Sequence, residues 1–344
     1  VHADAGSLAV RQVIVLNDTR GDRHFGCTSV MRAIEAGLAD AGLQSVLSLG
    51  THVDWRSDER FARALPSAKL VVVNGEGTLH HDRPLGLRLL QVAAAARAAG
   101  VPSALVNAGW QANGNAYVRA ARDFDLVSAR DSRSAAELRA AGLACRVVPD
   151  LSLCSPVPAA RARGGIGVTD SVDRDVALSL SVLRRELGAG VVSIHERLHG
   201  ARARLRFLRD ILGKQDLPHP LTLLRRLAAR REQLGSSSES LEEFLAGLAG
   251  LSLLVSGRFH ACTLALVAGT PFVAAGTNSH KIQALVEDAG LAAWRAGPDL
   301  SPQAVREAAR QGWSAGEREA AAGYVASARA GAHALFDDLG RLAA

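Results

Sequence analysis

The chain has 344 residues, 48% of them hydrophobic and 22% charged, with a net charge of +6 and a pI near 9.7. That length exceeds the roughly 250–300 residues at which a single core stops growing, so two domains are expected, and the composition excludes disordered, fibrous and disulfide-built scaffolds. Of 40 basic residues only Lys69, Lys214 and Lys281 are lysines; aromatics are few and no zinc-finger or RNA-binding spacing occurs, so nucleic acid is set aside in favour of phosphate, carboxylate or acidic glycan partners.

Residues 12–16 read as a buried strand, 17–27 as a polar glycine-containing loop, and 28–41 as a helix with Val30, Ile34 and Leu38 on one face, ended by Gly42. Further strands are expected at 45–49, 69–73, 103–107, 126–129 and 145–148, each followed by a polar or glycine-bearing turn. The pattern breaks at 155–165 into SPVPAARARGG, which has linker composition. A second series follows, with strands at 166–168, 191–194, 251–255 and 271–275 and helices near 240–249, 261–267 and 281–289. Residues 315–344 read as one or two terminal helices that pack back on the first domain. The alternation of strand and helix predicts an α/β chain of two Rossmann-like domains, 1–155 and 166–314, with parallel sheets. Ligands of such sheets lie beyond the carboxyl ends of the strands, so the post-strand loops of both domains are expected to face a central cleft.

Three of those loops carry chemistry. In VVVNGEGTLHHD (71–82), Gly75 and Gly77 let backbone N–H groups approach an anion, Pro84 suits the first turn of the next helix, and Glu76, His80, His81 and Asp82 crowd ionisable groups together. A tight strand-to-helix turn accounts for the glycines equally well, but not for the four ionisable residues. In SARDSRSAAELRAAGL (128–143), Ser132 or Ser134 is expected to cap a helix, whereas Arg130 at the strand tip has no evident structural partner. In the segment 256–282 a buried strand runs into Arg258 and His260 at the start of a helix, and Lys281 follows the next strand. An arginine, a histidine and a helix N-terminus suit a phosphate.

The order G-x-G-x-L-x-x-D, S-x-R-D-x-x-S, the pair Pro149–Asp150, and S-x-R-x-H-x-x-x-L-A-x-x-x-G-x-P resembles the polysaccharide pyruvyl transferase family. The last motif is the most specific, with Ser256, Arg258, His260, Leu264, Ala265, Gly269 and Pro271 in the family's positions. The resemblance implies a GT-B-like fold and phosphoenolpyruvate as co-substrate without a further cofactor. The acceptor it implies is a hexose of a polysaccharide or of a lipid-linked oligosaccharide. By the resemblance, Arg130, Arg258 and His260 stand where the donor is held and Asp82 where an acidic residue closes the glycine-rich loop; the candidate set read beside it adds Phe259, Lys281, Gly75, Gly77 and Thr78 for the donor, His260, Asp82 and Glu76 as acid and base, and Asn17, Asp18, Asp22 and His80 for the first loop or the acceptor. The first loop, NDTRGDRHFGC, is longer than the family's, and Glu76 replaces a glycine.

Cys27, Cys145, Cys154 and Cys262 form no CxxC pair, and His80 and His81, being adjacent, cannot share one helical face, so no metal site is expected and activity should survive a chelator. Dispersed cysteines, no leader pattern and no sufficiently long apolar run point to the cytoplasm. The arginine-rich stretch 196–231 reads first as solvated helix faces, and otherwise as a peripheral contact with the inner face of an anionic membrane. The alternative activity is a sugar-nucleotide glycosyltransferase of the same architecture, for which Glu242 and Glu243 are the acidic pair at hand; a non-catalytic glycan-binding protein is a third reading.

Overall fold

The computed structural model describes residues 11–197, 238–276, 280–297 and 300–344. These fall into two compact units: one runs through Asp22 and contains Val30–Cys154 and Ala326–Ala344, and the other contains Arg23–Ser29 and the described part of Ser155–Val325.

The first unit is built on β1 (Arg11–Asp18), β2 (Leu43–Gly50), β3 (Leu70–Asn74), β4 (Ser103–Ala108), β5 (Leu126–Ala129) and β6 (Arg146–Val147). All neighbours pair parallel, in the order β2-β1-β3-β4-β5-β6. A parallel sheet hides both faces, and the sequence obeys this with runs of apolar residues instead of alternation. Ile14, Leu16, Val71, Val73 and Leu105 pack on one side. That side is covered by α2 (Glu59–Ala64), α3 (Pro84–Leu90), α4 (Val92–Ala98), α5 (Asn115–Ala121) and α6 (Ser132–Ala140). Val13, Val15, Leu70, Val72, Ala104 and Val106 pack on the other, against Val30, Met31, Ile34 and Leu38 of α1 (Phe25–Asp40) and Leu335, Phe336 and Leu339 near the C-terminus. Each fully buried aliphatic side chain contributes about 1.5–3 kcal/mol.

The second unit repeats the arrangement on β7 (Ile166–Ser171), β8 (Gly190–Val191), β9 (Leu253–Gly257) and β10 (Phe272–Ala274), all parallel, in the order β10-β9-β7-β8. Its helices are α7 (Arg174–Leu187), α8 (Leu241–Ala249), α9 (Phe259–Val267), α10 (Lys281–Asp288), α11 (Pro302–Gln311) and the first part of α12 (Ala315–Leu342). Read from the matching ends, both sheets have the second strand outside the first and the third inside it. The switch points are therefore β1/β3 and β7/β9, which is where ligands collect in doubly wound sheets.

Some expectations need correction. The strand expected at 191–194 ends at Val191, because the chain turns to pair with 23–25: Phe25 N–H donates to Ile194 O at 2.9 Å and Glu196 N–H to Arg23 O at 2.9 Å. Helix α1 begins at Phe25, earlier than residue 28, since His24 Nδ1 accepts from Gly26 N–H at 3.1 Å in the manner of a cap. The terminal segment agrees with the expectation of one or two helices: Ala315–Leu342 form one, having no proline to divide it.

A fully buried arginine fastens the start of α12. Arg295, 0% exposed, donates through Nε and Nη2 to Glu317 and through Nη1 to Phe272 O, with its guanidinium 4.4 Å from the rings of Trp294 and Trp313. The hydrogen bond from Arg295 holds the Glu317 carboxyl down at about 2.

Among the described residues no helix is long and apolar enough to cross a membrane. The basic stretch from 198 to 231 lies outside the described residues, as do residues 277–279.

Candidate active site

In the first unit the named loops gather at the carboxyl ends of β1, β3, β4 and β5. Gly75 approaches the end of β4 so closely that a Cβ there would lie 2.6 Å from Ala108 Cα; Gly77, by contrast, has open space but φ +73°. Asn17, His81, Asp82, Asn107 and Ala112 all have φ between 49° and 63°, a concentration of left-handed backbone typical of sites where geometry is imposed.

Asn17 and Glu76 meet at the β1/β3 switch point. Asn17 Nδ2 donates to Asn74 O at 2.6 Å and Glu76 O at 3.1 Å, while Glu76 Oε2 accepts from Thr19 Oγ1 at 3.0 Å. Glu76 is 4% exposed and carries part of this knot, a positioning task that its acid–base assignment did not foresee. Asn17 Oδ1, Asn107 Nδ2 and Thr78 Oγ1 are buried with no hydrogen-bond partner among the described residues. Such atoms are uncommon in native folds and mark places where water or a ligand belongs.

Asp18 turns to Arg20 and Ser48 Oγ; burial would raise its carboxyl, but these hydrogen bonds hold it below its ordinary value. Asp22 is exposed at the end of a short 3-10 turn. Asp82 Oδ1 accepts from Gly114 N–H at 2.8 Å and its N–H donates to Asn113 Oδ1, which staples the loop to the start of α5. His80 and His81, unable to share a helical face, lie on a loop where their Nδ1 atoms come within 2.9 Å.

Arg130 has partners that the sequence reading did not find. It is 6% exposed, its Nη1 donates to Asp150 at 3.3 Å and its Nε lies 3.9 Å from Asp131. The guanidinium occupies the space a side chain at Gly109 would need. The cap of α6 is Asp131, accepting from Ser134 N–H and Oγ at 2.7 and 3.0 Å, not Ser132 or Ser134.

The second unit holds a denser group at the β7/β9 switch point. Arg258, at the N-cap of α9, donates through Nε and Nη2 to Asp170 Oδ1 and Oδ2 at 2.7 and 2.6 Å. Asp170, the residue before the last of β7, was missed, since nothing in an aspartate 88 residues upstream announces its partner. Thr169 Oγ1 accepts from Gly257 N–H at 3.0 Å, and Ser256 Oγ both accepts from Arg258 N–H and donates to Arg258 O at 3.0 Å, so β7, β9 and the cap are locked together. This side-on ion pair leaves Nη1 of Arg258 without a hydrogen bond to a described residue. Arg258 is donor-only and gives α9 no side-chain cap, so the helix's positive end favours an anion.

Phe259 and His260 form the first turn of α9, their rings 5.2 Å apart. His24, also missed, lies with its ring 5.5 Å from His260 and 5.2 Å from His195. Burial, then the charges of His260, His195, Arg258 and Lys281, push the His24 imidazole well below its ordinary range. The bond from Gly26 N–H to Nδ1, which must accept there, places the imidazole's proton on Nε2. Lys281 opens α10, near enough to be felt at His24. Arg258, Phe259 and His260 are thus brought together at the start of α9, with Lys281 close enough to act on His24.

No curated protein matches the sequence closely enough to count as a relative. Among solved structures, the fold is similar to a Listeria monocytogenes protein proposed to be a UDP-N-acetylglucosamine 2-epimerase (10% identity, 95% of each chain, TM-score 0.54) and to a UDP-N-acetylglucosamine 2-epimerase (12% identity, 96% of each chain, TM-score 0.52). It is also similar to MnaA of S. aureus, solved with UDP (12% identity, 88% of this chain and 87% of that one, TM-score 0.51). At such identities the likeness establishes two Rossmann-like domains of the GT-B type and nothing finer. The sequence pattern of the polysaccharide pyruvyl transferases matches residues 24–279, well over half of the chain and inclusive of every loop described above except the start of the first and Lys281; the chain is a transferase enzyme belonging to that family.

Proposed function

We propose that the chain transfers the three-carbon unit of phosphoenolpyruvate to a pair of hydroxyls on a hexose of a bacterial glycan, as a cyclic ketal. The observation that carries this reading is the Arg258–Asp170 pair beside His260 and Lys281 at the β7/β9 switch point. Phosphoenolpyruvate bears a phosphate and a carboxylate within a few atoms, and its binding calls for fixed cations and a helix N-terminus.

The chemistry balances without a redox partner. The enol methylene carbon gains a proton, one sugar hydroxyl oxygen bonds to the neighbouring carbon, phosphate leaves that carbon, and the second hydroxyl oxygen takes its place. One hydroxyl proton balances the new methyl group, and the other leaves with phosphate. His260 is assigned as the acid and Asp82 as the group that accepts the hydroxyl proton. Asp170 aims Arg258, and Glu76, held by Thr19, Asn17 and Asn74, shapes the β1/β3 loop. Phe259, beside His260 in the first turn of α9, completes the donor-binding set of the second unit.

Arg258→Ala tests the assignment. It should abolish acceptor-dependent phosphate release from phosphoenolpyruvate while leaving the circular dichroism spectrum unchanged; near-normal turnover would refute it. The competing sugar-nucleotide reading draws on the UDP named with the S. aureus neighbour, and nucleotide release in the same assay would favour it. The glycan acceptor, a lipid-linked precursor at the inner membrane face included, is read from the family alone.

A further inference from the structure

The four cysteines are scattered in sequence, yet the fold brings one of them to two histidines. His24 precedes α1, Cys27 lies in its first turn, and His260 lies in the first turn of α9. One ligand atom from each lies within 4.8 Å of the other two, and among the described residues this is the only such group of three. We propose that His24, Cys27 and His260 form a binding site for a thiophilic divalent cation of the zinc class.

The donor set suits that class. Imidazole and thiolate are ligand types that zinc takes, three protein ligands leave a fourth position open, and the soft sulfur discriminates against magnesium and calcium. An ion with bonds of about 2.0–2.3 Å holds its ligand atoms roughly 3.5 Å apart, so a side-chain adjustment of about an ångström closes the group. Gly26 makes the approach possible: a Cβ there would overlap the Cβ, Cγ and Nδ1 of His260. His195 lies edge-on to the His24 ring at 5.2 Å and bridges to it along the backbone, which fixes the imidazole from behind. Gly26 N–H occupies His24 Nδ1. Ligation costs this one backbone hydrogen bond, a small loss beside a metal–ligand bond.

The site does not depend on pyruvyl transfer, but it has a consequence for it. A cation on His260 removes the imidazole assigned as acid, so occupancy and turnover exclude one another.

The test uses the full chain, stripped with chelator and titrated with cobalt(II). A thiolate-to-cobalt charge-transfer band should saturate at one ion per chain and disappear on adding zinc. Cys27→Ser should abolish the band, His24→Gln should weaken apparent affinity by roughly tenfold or more, and Cys145→Ser, which alters a thiol elsewhere, should leave it intact. Absence of the band in the parent protein, or its persistence in Cys27→Ser, overturns the site. Should Cys27→Ser fail to fold, an unchanged affinity in His24→Gln would do the same. The readout is spectroscopic, so it stands apart from the outcome of any transfer assay.

Discussion

Replacing Asp170 by Asn removes one charge and little volume, and it isolates what the Asp170 carboxylate does for Arg258. Two charge-assisted bonds of 2.7 and 2.6 Å join side chains that are 10% and 14% exposed. Asparagine keeps one acceptor and sets an amide N–H against a guanidinium N–H. One bond worth about 1.5–3 kcal/mol is lost, and partial exposure keeps the remaining charge from costing the full amount of a sealed pair. A net loss of about 2 kcal/mol is expected, which lowers the melting temperature by roughly 4–8 °C for a unit of this size. Arg258 is also freed from its aim, and a misplacement of about 1 Å costs on the order of a hundredfold in rate. The assay pairs thermal unfolding with phosphate release from phosphoenolpyruvate at varied concentration, with Arg258→Lys as companion, since a lysine cannot reproduce the side-on geometry. Both variants should lose roughly a hundredfold in kcat/KM. An Asp170→Asn protein with unchanged melting temperature and unchanged kcat/KM would show that the pair neither stabilises β7/β9 nor positions the donor.

Glu317 offers a pH test. Its folded pKa is depressed from 4.5 to about 2, so its contribution is present above about pH 4.5 and is lost as pH falls toward 2, amounting to up to about 3 kcal/mol. Urea unfolding of Glu317→Gln should therefore show a flatter acid limb than the parent, and identical limbs would contradict this. Gly75 and Gly77 separate two uses of glycine: Gly75→Ala meets rigid Ala108 backbone and should cost about 1–3 kcal/mol, whereas Gly77→Ala pays only for its positive φ, about 1–2 kcal/mol. The two are distinguished by Gly77→Asn, which tolerates that φ and should recover most of the loss, while Gly75→Asn should be worse than Gly75→Ala.

What the sequence disclosed and what it withheld follow from the range of the forces involved. The strand at 126–129 was readable to the residue, because a short apolar run between polar turns has few other ways to be buried. The strand expected at 191–194 was not, because its residues prefer partners at 23–25, a pairing no local pattern encodes. The motif containing Arg258 and His260 was legible as a strand running into a helix, whereas Asp170, His24 and His195 were invisible, each joined to the group only by parallel packing of β7 and β9 or by the turn at 23–25. Asp131 was misjudged for a related reason: Ser132 and Ser134 are equally good caps in isolation, and only the backbone at the strand end decides which oxygen reaches Ser134 N–H.

The most direct test of the account is product analysis. Incubated with phosphoenolpyruvate and a panel of hexosides, the protein should release phosphate in equal amount to a product that carries a pyruvate ketal by mass spectrometry. Nucleotide release from sugar nucleotides, with phosphoenolpyruvate left intact under every acceptor, would contradict it.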